Sequence, residues 1–513
     1  MKCCAAFLSS ILFFTPALAA QSAPSARSVA EAVRTYRLAH ENQIIREFNG
    51  LLSIPNTASD EPNIQRNAAH LVELLNSRGF HTQILPISGR GPVVFAELTA
   101  PGASRTVIFY CHYDGQPVEP GQWTGTEPFV PALRTDSLDA GGRLIPFPDS
   151  PGAYKDAWRI YARSAGDDKA PIIAILAAVD ALRANHIPLA VNLKLVLEGE
   201  EEAGSQHLRE TIDAHRDLLK GDLLITADGP VDQSGRPLVF FGNRGVISVR
   251  LTVFGPLHPL HSGHYGNWAP NPAMRLAQLL ATMKDGDGRI LIPGFYDNVV
   301  PLGAAERDAI EHAPDNDAAL LKQFGIAAPD GGGKKLLELL NEPSLNIDGL
   351  ESGWTGAQSK TIIPDSATAS LDMRLVKNAG PDQEFDRLLA HIRRQGYYVI
   401  DRAPTMEERA KYPRIAEVTR EPGYPATRTA MDLPVSRALM SVVDEAAGEP
   451  AVKIPLIGGS APMYVFDEMG LPVIGVPIVN FDDNQHSPNE NVRVGNLWKG
   501  MEIYGAIIAA LRW

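Results

Sequence analysis

Cysteine is nearly absent: three occur in 513 residues, and two of them, Cys3 and Cys4, stand at the very start. Cys111 alone follows, inside the apolar run Val107-Ile108-Phe109-Tyr110. One thiol cannot close an internal disulfide, so stability must come from the core, and Cys111 reads as a small packed hydrophobe. A long basic run interleaved with aromatics is also missing, and the formal net charge is -13, which argues against nucleic acid as a partner. No apolar run approaches the roughly 20 residues needed to cross a bilayer, so stable membrane insertion is not expected. The apolar stretch at 7–14 is short, is preceded by Lys2 and is followed by Ala17-Leu18-Ala19. That three-part pattern predicts a signal peptide over 1–20 and an exported chain, periplasmic or secreted. Cys3 and Cys4 precede the stretch and so cannot be lipid-modified at a cleavage point. There is no internal repeat. What remains, 44% hydrophobic and 21% charged, is globular composition and excludes a disordered chain.

Helical spacing runs from Val29 to Leu52 and from Ile64 to Arg78, where Gly79 stops it. Apolar strands and helices then alternate: Val93 to Leu98, Val107 to Cys111, Ala170 to Arg183, Leu193 to Leu197, Leu223 to Ala227. This predicts an α/β layer. From Gly245 the order becomes strand (Val246 to Phe254), helix (Asn271 to Met283), strand (Ser366 to Leu375), helix (Pro381 to Arg394) and strand (Tyr397 to Asp401), which suggests an inserted α+β unit. After Pro434 the α/β character returns, with Ser436 to Ala446, Val473 to Val479 and a helix beyond Val494. The expected division is therefore a first catalytic part at 28–243, an inserted domain at 244–425 and a second catalytic part at 426–513. The stretch 128–154, rich in Pro, Gly and Asp, reads as a surface loop, and 289–346 is left unassigned.

Acids and histidines collect where apolar strands end. They are His112-Tyr113-Asp114, Asp167-Asp168-Lys169, Glu198 to Glu202, Asp228 and His486. In α/β sheets, sites form at the carboxyl ends of strands. Each segment alone has a bland reading: a surface pair, a solvated helix start, a turn residue. Together they supply the nitrogen and oxygen donors that two zinc ions need, including a carboxylate able to stand between ions about 3.5–4 Å apart. Spacing alone leaves open whether Asp167 or Asp168 bridges, and whether Glu200 or Glu201 acts as base.

The ordered set resembles the M20 metallopeptidases, through nearly the whole chain beyond the first segment. His112-Tyr113-Asp114 is similar to the family's His-X-Asp, Ala162 to Lys169 to its Gly-Arg-Gly-Ala-X-Asp-X-Lys, and Glu198 to Ser205 to its Glu-Gly-X-Glu-Glu-X-Gly-Ser. Pro293 to Asp297 and Thr361 to Pro364 resemble the dipeptidase branch. The resemblance implies a discontinuous zinc-hydrolase domain, a mixed sheet flanked by helices, with an inserted lid and dimerisation domain. It makes His112 and Asp228 terminal ligands of one ion, Glu202 and His486 those of the other, and Asp167 the bridge, with a cis peptide after it. Glu201 becomes the base for a water activated between the ions, and Asp114 the partner that fixes the His112 tautomer. His261, in Leu260-His261-Ser262-Gly263, matches the histidine that stabilises the oxyanion, often across a homodimer. Arg374 matches the arginine that clamps a substrate carboxylate, and Ser460, in Gly458-Gly459-Ser460, a substrate main-chain contact. Zinc is the default metal, with manganese or cobalt as alternatives.

Three departures stand out: Ala162-Arg163-Ser164 replaces Gly-Arg-Gly, Ala170 replaces a usual Gly, and 128–154 lengthens the gap between His112 and Asp167. The expected substrate is a small peptide, cleaved as a dipeptide or at its C-terminal residue. The rivals are an N-acyl amino acid amidohydrolase of the same fold and a non-catalytic peptide- or metal-binding protein.

Overall fold

The computed structural model describes residues 24–87, 90–150 and 152–513, so the segment 1–20 and its signal-peptide pattern lie outside the described residues. Strands with apolar side chains on both faces must be covered on both faces. Thr106–His112 is such a strand: Val107, Phe109 and Cys111 enter one core, Ile108 and Tyr110 another. It lies fourth in a mixed eight-stranded sheet, in the order His81–Leu85, Val93–Leu98, Asn192–Glu198, Thr106–His112, Leu223–Thr226, Val473–Gly475, Leu238–Phe240 and Val452–Ile454. The four central strands from Asn192–Glu198 to Val473–Gly475 run parallel, so their carboxyl ends share one edge. Helices Ala26–Leu52, Lys169–Ala184, Pro434–Ala447 and Val494–Ala510 cover one face. Leu208–Ala214 and Tyr464–Asp467 cover the other.

A second sheet is built from the sequence between Gly245 and Arg420, in the order Ser344–Glu351, Ser366–Leu375, Gly245–Phe254, Ile415–Arg420 and Tyr398–Ile400. Its strands alternate: Ile247, Val249, Leu251 and Val253 are buried against Leu276, Leu279, Leu388 and Ile392 of helices Pro272–Leu280 and Pro381–Arg394. Both helices begin with proline, whose missing N–H costs nothing in the first turn, and the Asn271 side chain accepts from Ala273 N and Met274 N. The opposite face, carrying Val246, Asp372 and Arg374, is left half-buried.

Several elements differ from the sequence reading. The strand expected over Val473 to Val479 ends at Gly475, because Pro477 has no N–H to continue a ladder. The stretch 128–154 is more than a loop: Ala132–Arg134 and Leu144–Ile145 join Arg159–Tyr161 and Asn491–Arg493 in a four-stranded sheet. The unassigned stretch 289–346 holds helices Ala304–His312, Asp317–Phe324 and Leu336–Leu339, and the start of edge strand Ser344–Glu351. No helix among the described residues is long and apolar enough to cross a membrane.

Candidate active site

Neighbouring strands deliver their last residues to one place. His112 ends its strand, Asp228 follows Leu223–Thr226 by two residues, and Glu198 ends Asn192–Glu198 and leads into Gly199 to Glu202. Gly199 is required there, since a Cβ at that position would lie 2.4 Å from the Tyr113 hydroxyl. Ligand atoms of His112, Asp167 and Asp228 all lie within 4.8 Å of one another, and so do those of Asp167, Glu202 and His486. Asp167 is common to both groups: its Oδ1 is 2.8 Å from His112 Nε2 and its Oδ2 is 3.1 Å from His486 Nε2. Glu202 Oε2 is 3.3 Å from the same His486 nitrogen.

The acids outnumber the cations, and burial makes that costly. Desolvation, reinforced by Asp167, pushes the Glu202 carboxyl up to about 8 and Asp228 up to about 6. Glu201 is raised well above the carboxylate range by desolvation, with Asp228, Glu202 and Asp167 adding to it. The His486 imidazole is raised to about 9, first by its hydrogen bond with Asp167. Burial alone would lower the His112 imidazole, but its contacts with Asp114 and Asp167 hold it well above its usual value. Two oxygen- and nitrogen-lined groups with excess negative charge, sharing one carboxylate, fit two divalent cations.

The neighbouring acids face elsewhere. Asp168 Oδ2 accepts from the His112 backbone N–H at 3.3 Å, while the buried Glu200 carboxylate meets His207 Nδ1 at 2.9 Å. The Asp167–Asp168 peptide is cis, the geometry the resemblance implies. Lys169 is fully buried, and its ammonium donates to Leu51 O, Ile54 O and Asn67 Oδ1, tying the loop to the first two helices.

Asp114 does more than the sequence suggested. Its Oδ1 is 3.3 Å from His112 Nδ1, and its two oxygens also accept the backbone N–H groups of Glu201 at 3.1 Å and Glu202 at 3.0 Å. One buried carboxylate thus sets His112 and the loop carrying Glu201 and Glu202. Gln116 and Gln485 were not foreseen: they donate to Glu202 Oε2 at 2.6 Å and to Asp167 Oδ2 at 3.0 Å. Their adjacency to Asp114 and His486 in sequence was the available signal.

A second polar cluster lies where the other sheet meets the loop after Val452–Ile454. Arg374 Nη1 donates to Ser460 Oγ at 2.7 Å, and its Nε to Asp372 Oδ2 at 3.0 Å. Arg244, another residue the sequence reading missed, donates to Glu342 O at 2.7 Å and Ser344 Oγ at 3.1 Å, and Ser344 stands opposite Arg374 in the ladder. It is 6% exposed, its Nε is buried without a partner, and no carboxylate of the described residues lies within 4.0 Å of it. Burial and the neighbouring Arg374 lower its guanidinium to about 10. His261 is not brought to either cluster: it is exposed, and its ring accepts from Gly263 N at 3.1 Å.

Residues 108–510 match the model of peptidase family M20/M25/M40. The chain belongs to that family, and it is a metal-dependent peptide hydrolase built around a two-ion site. Among individual relatives, it is 27% identical over 492 residues to the Cys-Gly metallodipeptidase DUG1 of Candida albicans, covering 91% of this chain and 94% of that protein. It is 28% identical to the human Beta-Ala-His dipeptidase, over 83% of this chain and 78% of that one. The solved structure of the M20 family metallo-carboxypeptidase Sso-CP2 from Sulfolobus solfataricus superposes with a TM-score of 0.74 at 29% identity, covering 91% of this chain and 98% of that one. These relatives correct one expectation. The DUG1 enzymes are cytosolic, and the reading of an exported, periplasmic or secreted chain does not stand against them.

Proposed function

We propose that this chain is a dizinc dipeptidase that cleaves the amide bond of small peptides with a free C-terminal carboxylate. The observation that carries this is the pairing of two ligand groups around Asp167 with a cationic cluster on the facing sheet. His112 and Asp228 would hold one ion, Glu202 and His486 the other, with Asp167 available to both; nitrogen and oxygen donors of this kind favour zinc. When bound, the ions polarise the scissile carbonyl and lower the pKa of the attacking water. Glu201 takes the proton from that water and returns it to the leaving amine, and its desolvated carboxyl suits both steps. Asp114 holds His112 and the Glu201 loop in place. Arg374, Ser460 and Arg244 take the substrate carboxylate, a task suited to planar guanidinium groups.

The names of two relatives, Cys-Gly metallodipeptidase and Beta-Ala-His dipeptidase, support dipeptides over longer chains. Residues 28–243 and 426–513 form the catalytic domain and 244–425 the lid, a division supported by the separate core between Ile247 and Val418, while Ala309, Ala313 and Leu337 of 244–425 pack on the catalytic side. The lid also makes a homodimer: its edge strand Ser344–Glu351 exposes Ile347 and Leu350, and His261 is free to serve the oxyanion of the other copy.

The test is to strip the protein of metal and restore zinc, manganese or cobalt singly, with dipeptides, dipeptide amides and N-acetyl amino acids as substrates. Zinc-dependent cleavage of dipeptides is expected. Cleavage confined to N-acetyl amino acids would move the assignment to an amidohydrolase, and metal binding without hydrolysis of any substrate would make it a binding protein.

A further inference from the structure

Asp167 and His486 stand more than 300 residues apart in sequence, and one buried side chain joins the loops that carry them. Glu490 lies four residues after His486 and is fully buried. Its Oε1 accepts the backbone N–H groups of Gly166 at 2.9 Å and Asp167 at 3.0 Å. Its Oε2 accepts Ser164 N–H at 2.9 Å and Arg163 Nη1 at 2.7 Å. Four donors occupy the lone pairs of one carboxylate, and three of them are main-chain groups of the loop that carries Asp167. The flanking chain repeats the join: Ala162 N donates to Glu490 O at 3.2 Å, and Arg159–Tyr161 pairs antiparallel with Asn491–Arg493.

The loop needs such a clamp. Ser164 has φ +61, a strained left-handed conformation that a non-glycine residue keeps only where its surroundings enforce it. Among the described residues, two side chains hold Ser164 by hydrogen bonds to its N–H and Oγ: Glu490, and Asn56, which donates to Oγ at 2.8 Å. Gly166 packs closely on the other loop: a Cβ there would lie 2.9 Å from Oδ2 of Asp483, which stands three residues before His486.

We propose that Glu490 is a positioning residue for the two-ion site, locking the Asp167 loop onto the His486 loop so that the shared carboxylate stands between the two ligand groups. Glu490 touches neither ion nor substrate. It sets the distance between Asp167 and His486, and through it the ability of both ions to bind together. This inference rests on the two-ion reading above, but a separate outcome tests each.

The experiment is a chelator-competition titration of zinc, with the visible spectrum of the cobalt-loaded protein and separate kcat and KM values, on wild type, Glu490→Gln and Glu490→Gln/Ser164→Gly. In Glu490→Gln an amide NH2 faces main-chain N–H donors. The affinity for at least one ion is expected to fall about 10- to 100-fold, the range seen when partners of metal ligands are lost. The cobalt spectrum should change and kcat should fall while KM holds. Glycine at 164 adopts positive φ without cost, so the double variant should recover part of the affinity, which a general loss of packing would not do. Wild-type affinity and spectrum in Glu490→Gln would overturn the proposal. If that variant does not fold, the reading passes to Glu490→Asp, which keeps the charge but draws it back by about 1.5 Å, one C–C bond; unchanged affinity there overturns it equally. A wild-type protein that binds no second ion would instead overturn the two-ion reading.

Discussion

Replacing Asp114 by asparagine isolates the work of one carboxylate without changing its shape. Asp114 is fully buried and accepts from the Glu201 and Glu202 main chain at 3.1 and 3.0 Å. Asparagine keeps one acceptor oxygen and turns an NH2 toward the other N–H. One charge-assisted bond is lost and one buried donor is orphaned, together about 2–3 kcal/mol. If the site recovers by tilting the loop, Glu201 leaves its place and the loss appears in the barrier, as a fall in kcat of roughly 30- to 150-fold. Steady-state kinetics on a dipeptide at saturating zinc measure this, with metal content per chain and a thermal melt of the metal-free protein as controls. The melt should shift little compared with the change in kcat. A kcat within threefold of wild type, with two ions bound, would refute the role given to Asp114.

Arg244→Met should raise KM for dipeptides by about tenfold or more, because a guanidinium contact to a carboxylate is worth roughly 1.5–3 kcal/mol. The dipeptide amide should respond little, and equal effects on both substrates would count against a carboxylate pocket. Zinc binding near pH 7 should release at least one proton per chain, because without metal His486 and Glu202 hold theirs up to about 9 and about 8. Affinity should therefore climb as pH rises from about 6, where Asp228 titrates, to about 9. Calorimetry in two buffers of different ionisation heat reads the release directly, and none at pH 7 would contradict the charge pattern. For the metal-free protein the sign reverses: the raised His486 pKa adds stability that is fully present below about 6.5 and fades as pH passes about 9. Sedimentation should find a dimer, and Ile347→Lys/Leu350→Lys should shift it toward monomer.

Much of the fold was legible because both periodicities were strong. Ser366–Leu375 and Pro381–Arg394 begin and end where alternation and the proline start signal predict. Short strands were not: Leu238–Phe240, Val452–Ile454 and Leu144–Ile145 have three residues or two, too few for a period to show, and exist because neighbouring strands offer them partners. The same limit hid the four-stranded sheet in a stretch whose Pro and Gly content signals only turns. In the site, residue types were readable wherever a strand ended in an acid or histidine. The choice between adjacent acids was not, since it depends on which carboxylate finds another partner: Glu200 meets His207, and Asp168 meets the His112 main chain. Arg244 and Glu490 escaped notice because their importance lies in what surrounds them: a buried Nε without a partner on the one, four donors around the other.

The most direct test of the central claim is hydrolysis of a dipeptide by Glu201→Ala with zinc content measured on the same sample. Two ions should remain bound, because Glu201 belongs to neither ligand group, while kcat falls by at least ~100-fold with loss of the proton carrier. Undiminished hydrolysis by the fully loaded variant would contradict it.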